Sequence, residues 1–162
     1  MDVSQEAEML RNVPLFSGMS ASELKLLAFT SEVHCFAPGE ILMRQGDPAD
    51  CAYVILEGEA DVLARTHAGE FVVATLGRNA VPGEIGVLTD APRTATVRAT
   101  TPLRALRISP EVFLRLASSR PDRALHVMRQ LSAHIANDLR ALATLKEELS
   151  KAQTAAAQAA TR

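Results

Sequence analysis

Aromatic residues are scarce in this chain. It has no tryptophan, one tyrosine and five phenylalanines, 4% of 162 residues. Any core must therefore be assembled from Leu, Val, Ile and Ala. Cysteine is nearly absent as well. Cys35 and Cys51 are too few for a disulfide framework and lack the spacing of a zinc-ligand pair, so buried reduced thiols are expected. Neither sign of charge dominates: the formal net charge of -2 leaves no basic field for tight nonspecific nucleic-acid binding. No apolar run is long enough to span a bilayer. The opening Met-Asp-Val-Ser-Gln-Glu is too acidic and polar for a signal peptide. A cytoplasmic protein without a membrane segment is the expectation. The four histidines, His34, His67, His126 and His134, form no His-x-His or His-x-x-x-His pair, which argues against a metal-dependent cupin-like barrel enzyme. His34 and Cys35 are adjacent, but neighbours on a strand point to opposite faces and cannot work as a nucleophile pair. No catalytic group, metal or cofactor is expected.

What the chain does have is apolar content of 48%, enough for a packed core, in a length that suits one domain and a short extension. Its texture changes twice. Residues from about Glu6 to Thr30 read as helical. Pro14 should close a first short helix, and Ser20-Ala-Ser-Glu23 has the pattern of a capping box for a second. From about Val33 to Ile108 short apolar runs alternate with turn signals: Pro38-Gly39, Gly46-Asp47-Pro48, Glu57-Gly58 and His67-Ala68-Gly69. Ser109-Pro110-Glu111 then has the chemistry of a helix start. A longer helix is expected from about Pro121, with an apolar stripe through Leu125, Met128, Leu131, Ile135, Leu139, Leu142, Leu145 and Leu149. The predicted architecture is α+β: an antiparallel β-barrel of the jelly-roll kind, with short helices before it and helices after it that end in a long one. Residues 1–149 are expected to form the domain and 150–162 an Ala-rich tail, helical or disordered.

One segment concentrates the chemistry, Pro82-Gly-Glu-Ile-Gly-Val-Leu-Thr-Asp-Ala-Pro-Arg-Thr-Ala-Thr-Val-Arg-Ala99. Gly83 and Gly86 let a backbone approach a ligand and present its N–H groups. Ile85 to Leu88 is long enough for one helical turn. Glu84 and Arg93 bracket that turn, nine residues apart. Arginine offers a planar fork of donors to a phosphate, and an ionised glutamate accepts from a hydroxyl. A ligand with a monoanionic phosphate beside a free hydroxyl satisfies both, as in a 3′,5′-cyclic nucleotide. The spacing alone leaves an ordinary Glu84–Arg93 ion pair in a turn equally open.

The segment resembles the phosphate-binding cassette of the cyclic-nucleotide-binding domain family, which includes the catabolite activator protein, the regulatory subunits of cAMP-dependent kinase and nucleotide-gated channels. The matching residues are Gly83-Glu84, Gly86, Arg93, Thr94, Ala95 and Val97. Pro38-Gly39-Glu40, Gly46-Asp47, Tyr53-Val54-Ile55 and Gly58-Glu59 fit the family's early turns and hairpin. Two positions depart from the pattern. Pro82 stands where the family usually has an aromatic or aliphatic residue. Leu142-Ala143-Thr144 is mostly apolar where dimeric activators place hydroxyls against adenine.

The resemblance implies that Glu84 accepts the ribose 2′-hydroxyl, Arg93 pairs with the cyclic phosphate, and backbone amides near Ile85, Gly86 and Thr94 complete the cradle, with Ala95 beside them. Val73, Leu76 and Val97 would wall the base, and Leu139, Arg140 or Leu142 would cover it. A Thr at position 94 reaches the guanine amino group in some members, while other members with Thr prefer cAMP; cAMP is favoured here. The expected function is a sensor that couples binding to movement of the final helix. Its expected partners are a cyclic nucleotide and, through the apolar stripe, a second copy. The residues after Leu149 leave no room for a helix-turn-helix, so no DNA-binding domain is expected in this chain. The alternative is a ligand-independent scaffold or dimerisation module with the same fold.

Overall fold

The computed structural model describes residues 2–161. The chain divides into a larger unit that ends at Ala124 and a second that begins at Leu125.

The larger unit opens with α1 (Val3–Leu10), a 3-10 turn (Pro14–Phe16) and α2 (Ala21–Phe29). Both helices start on capping boxes: Asp2 with Gln5, then Ser20 with Glu23. The α1 start lies a few residues before the expected Glu6, because Asp2 serves as its cap. Pro14 opens the 3-10 turn, since its fixed φ and missing N–H suit a first helical position.

Seven strands follow, all paired antiparallel: β1 (Glu32–Phe36), β2 (Ile41–Met43), β3 (Ala52–Glu57), β4 (Ala60–Thr66), β5 (Gly69–Leu76), β6 (Thr96–Ala99) and β7 (Leu103–Ile108). They form two sheets, β1-β7-β3 and β2-β6-β4-β5. The expected α+β arrangement of antiparallel strands with flanking helices is present. Closure into one barrel is not detected among the described residues. Residues 79–82 run along the free side of β3, where the Tyr53 and Ile55 amides donate to the Pro82 and Ala80 carbonyls and the Asn79 amide donates to Ile55.

The core has two parts because β3 and β7 are covered on both faces. Tyr53, Ile55, Leu103 and Ala105 face the second sheet and pack with Leu42, Met43, Ala60, Val97 and Ala99. Ala52, Val54, Leu56, Leu106 and Ile108 face the other way, onto Leu10, Leu24, Leu27 and Phe113 of the helices. A near-continuous apolar run such as Ala52–Leu56 is what a strand buried on both faces requires. The β3–β4 turn needs Gly58. Its φ is +91°, and a Cβ there would stand 2.3 Å from the Pro102 carbonyl oxygen. His67 and Ala68 form the two-residue β4–β5 turn, with Thr66 paired to Gly69.

Cys51 is buried, but Cys35 is exposed, contrary to expectation. On edge strand β1, His34 and Phe36 turn toward Tyr53, with ring centroids 6.3 and 5.8 Å away, and the alternation puts Cys35 outside.

After the strands come α4 (Pro110–Ser118), capped by the Ser109 hydroxyl, and α5 (Pro121–Ala160). α5 is one continuous helix whose first turn belongs to the larger unit. In the second unit Met128, Ile135, Leu142 and Leu149, each seven residues after the last, are all exposed. No helix of the described residues is long and apolar enough to cross a membrane.

Candidate functional site

Between β5 and β6 the chain makes the six-residue helix α3 (Glu84–Thr89) and then an extended segment that carries Arg93. Gly83 precedes α3 in the left-handed region at φ +93°. A Cβ on it would lie 2.6 Å from Arg93 Nη1 and 3.0 Å from the Met43 methyl. Glycine is therefore required twice here, by the backbone and by the guanidinium beside it. Gly86 is equally confined, since a Cβ there would come within 2.8 Å of the Ala49 Cβ. The missing side chain at Gly86 lets α3 approach Ala49 in the β2–β3 connection.

Arg93 is the centre of the arrangement. Its side chain is 3% exposed, which is unusual for arginine and requires partners. Nη1 donates to the Gly83 carbonyl at 3.1 Å, and Nη2 donates to the Cys51 carbonyl. Nη2 also lies 3.3 Å from Asp50 Oδ1 and 3.5 Å from Cys51 Sγ. Its backbone is pinned on both sides: the Arg93 amide donates to the Asp47 carbonyl and its carbonyl accepts from the Gly46 amide, both at 2.8 Å. Two of the guanidinium contacts are thus neutral carbonyls. The single carboxylate is shared, because Asp50 Oδ2 also meets Arg107 Nη2 at 3.5 Å.

The surrounding groups respond in proportion to burial and charge. Desolvation pushes the Asp50 carboxyl up, but the Cys51 thiol, its own amide, Arg107 and Arg93 outweigh it, and the carboxyl titrates below its ordinary range. Burial pushes the Cys51 thiol up, so it stays protonated and inert. Burial, with Cys51 and Asp50 adding to it, pushes the Tyr53 hydroxyl up to about 12.

Of the residues singled out in the sequence, Gly83, Glu84, Ile85, Gly86 and Arg93 come together around α3. Glu84 and Ile85 are half-buried. Thr94 is exposed and Ala95 half-buried, just before β6. Val97 is buried in the core between the sheets, and Leu76 is half-buried against it. Val73 is 59% exposed on β5, an edge strand. Leu139, Arg140 and Leu142 lie in the second unit, all exposed on α5, where Arg140 donates to the Asn137 side chain. Two concavities, of about 380 and 320 Å3, lie along β2 and its turn and contain neither Glu84 nor Arg93.

The sequence reading missed Asp50, Arg107 and the Cys51 carbonyl. Asp50 stands 43 residues before Arg93 and contacts it only through the fold. The one signal available was a second acid, after Asp47, in the Gly46–Cys51 stretch. Among the described residues no group of three or more His, Cys, Asp or Glu side chains is placed to hold a metal.

The family model of the cyclic nucleotide-binding domain matches residues 33–120, more than half of the chain. This chain belongs to the cyclic nucleotide-binding domain family. A cAMP-dependent protein kinase regulatory subunit from Mycosarcoma maydis is 36% identical over 112 residues, covering 66% of this chain and 21% of that protein. The chain thus spans about a fifth of that relative's length. Among solved structures, a cyclic nucleotide-binding-like protein from Brucella abortus is 30% identical with a TM-score of 0.61, covering 68% of this chain and 96% of that one. The sensor domain of the transcriptional regulator DNR from Pseudomonas aeruginosa shares the fold, with a TM-score of 0.75 at 24% identity and coverage of 85% and 93%. The matched span includes α3 and Arg93.

Proposed function

We propose that this chain is a sensor that binds a 3′,5′-cyclic nucleotide, cAMP in preference to cGMP, and carries out no catalytic step. The observation that supports it best is Arg93, a buried guanidinium with much of its donor capacity spent on neutral carbonyls beside α3. A phosphate offers that guanidinium a better partner than either carbonyl, because both sides of the new bond are charged. Glu84 accepts the ribose 2′-hydroxyl, and amides near Ile85, Gly86 and Thr94 close on the phosphate, with Ala95 next to them. Leu76, Val97 and the exposed Val73 are the walls for the base, and Leu139, Arg140 or Leu142 its cover. The similarity to a cAMP-dependent kinase regulatory subunit favours cAMP.

The output runs through α5. Binding biases two arrangements of the chain only by its differential affinity for them, and the cassette residues Ile85, Val87 and Leu88 are the ones that shift with the phosphate. The seven-residue spacing of Met128, Ile135, Leu142 and Leu149, all exposed, supports a homodimer through a two-helix seam. In this reading residues 1–149 are the sensor and 150–162 prolong its last helix, and the chain acts in the cytoplasm.

A second reading is favoured by the completeness of the Arg93 contacts. With Gly83, Cys51 and Asp50 around it, the guanidinium is satisfied by the protein itself, as in a scaffold of the same fold that needs no nucleotide. Thermal unfolding separates the two. The sensor gains stability with saturating cAMP, less with 2′-deoxy-cAMP, and none with 5′-AMP. The scaffold melts at one temperature in all four conditions, ligand-free protein included.

A further inference from the structure

Asp50 meets two arginines, and one of them stands outside the cassette. Arg107 lies on β7, opposite Tyr53 of the neighbouring β3. Its Nη2 is 3.5 Å from Asp50 Oδ2 and donates to the Asp50 carbonyl at 3.5 Å. The other oxygen of the same carboxylate, Oδ1, is 3.3 Å from Arg93 Nη2. Each carboxylate oxygen thus has its own arginine. Asp50 is also the one carboxylate that either guanidinium meets among the described ion pairs.

The charges of the three groups do not balance. With Arg107 in place, two cations share one anion and the cluster keeps a net positive charge. Without it, Asp50 and Arg93 would cancel. The difference is felt most at Arg93, whose side chain is 3% exposed against 29% for Arg107 and 70% for Asp50, since water and salt screen a buried charge least. Arg107 also stays charged. Burial alone would pull its guanidinium down, but Cys51, Asp50 and Tyr53 more than reverse this. Among the described hydrogen bonds and ion pairs Arg107 meets Asp50 and no residue of the 82–99 segment, so Asp50 is its route to Arg93.

We infer that Arg107 is a positioning residue for the nucleotide phosphate: by holding the second oxygen of Asp50, it keeps that carboxylate from neutralising Arg93 and leaves the Arg93 charge to meet an anion. The consequence for affinity rests on the sensor reading above. The sharing of Asp50 rests on the geometry alone.

Two measurements test this. The Asp50 carboxyl titrates below its ordinary range with both arginines present, and carbon-detected NMR of the ligand-free protein follows it. In Arg107→Gln it should titrate at higher pH than in wild type, and in Arg107→Lys close to wild type, because lysine keeps the charge. Calorimetric titration with cAMP then reads the consequence. Arg107→Gln should bind about three- to tenfold more weakly, the size expected of coupling between neighbouring charges. Arg107→Lys should stay within about twofold of wild type. In an Asp50→Asn background the same Arg107→Gln change should cost less than about twofold, because the carboxylate it restrains is gone. An Asp50 titration that Arg107→Gln does not move would overturn the sharing. Wild-type affinity in Arg107→Gln, or an equal loss in Arg107→Lys, would overturn the positioning role. An equal loss with and without the Asp50 carboxylate would make Arg107 act on the nucleotide by itself and would overturn the route through Asp50. A wild-type protein that binds no cyclic nucleotide would defeat the sensor reading and the positioning role with it, while the Asp50 titration would still decide the sharing.

Discussion

Arg93 is buried and Arg123, in the first turn of α5, is half-buried with its Nη2 on Glu23 Oε2; the two keep different company. Arg123 faces a carboxylate that is held ionised by its own hydrogen bonds and belongs to it alone among the described ion pairs. Arg93 faces two carbonyls and an exposed carboxylate that it shares with Arg107. The first is a closed pair. On the sensor reading the second is a positive charge only partly balanced by its surroundings, whose position an incoming anion improves. Burial of an arginine therefore says little by itself; the charge of what surrounds it separates a structural contact from a receptive one.

That contrast can be broken most sharply at Arg93. Arg93→Ala should lower cyclic-nucleotide affinity on the order of a hundredfold or more, since a bidentate charge-assisted contact is worth about 3 kcal/mol or more. Titration calorimetry reads this directly, and near-wild-type affinity would remove Arg93 from the site. Glu84→Ala should cost about tenfold, the loss of one hydrogen bond to a charged group, and should abolish the preference for cAMP over 2′-deoxy-cAMP. A preference that survives the substitution would take the ribose contact away from Glu84.

Gly83→Ala sharpens the comparison by disturbing Arg93 without touching its charge. The left-handed backbone costs about 1–2 kcal/mol, and the new Cβ meets Arg93 Nη1. Lower thermal stability together with weaker binding is the expected pair of results. The smallest effect concerns Arg123. The folded-state carboxyl of Glu23 lies near 2, below its ordinary 4.5, so its contribution is complete above pH 4.5 and is lost as pH falls toward 2. Because Glu23 is 37% exposed, solvent screens part of it. Acid unfolding curves of Glu23→Gln and wild type should differ at neutral pH and converge between pH 4.5 and pH 2; parallel curves across that window would contradict the pairing.

Much of the fold was legible because it rests on local chemistry. Ser20-Ala-Ser-Glu23 is a capping box, Ser109-Pro110 starts a helix, and His67-Ala68 is a hairpin turn. Each of these depends on residues within four positions of one another. The two-sheet division was less accessible, since β1, β7 and β3 pair across more than 40 residues of intervening chain. Within the candidate site, Gly83 and Gly86 could be picked out because their spacing has a steric reason. The burial of Arg93 could not, nor its contacts with Asp50 and the Cys51 carbonyl, because they are made by the β2–β3 connection, more than 40 residues earlier in the chain. Val73 shows the opposite limit: expected as a wall for the base, it lies on β5, an edge whose residues are exposed from Gly69 to Thr75. Periodicity identifies a strand but not its place in the sheet.

The most direct test of the receptive arginine is calorimetric titration of refolded, nucleotide-free protein with cAMP and cGMP, run beside Arg93→Ala. Refolding removes any nucleotide that survives purification. The account predicts micromolar or tighter binding to wild type, tighter for cAMP, with the heat nearly gone in the variant. No heat with either nucleotide at saturation, in a wild-type protein shown to be folded, would contradict it.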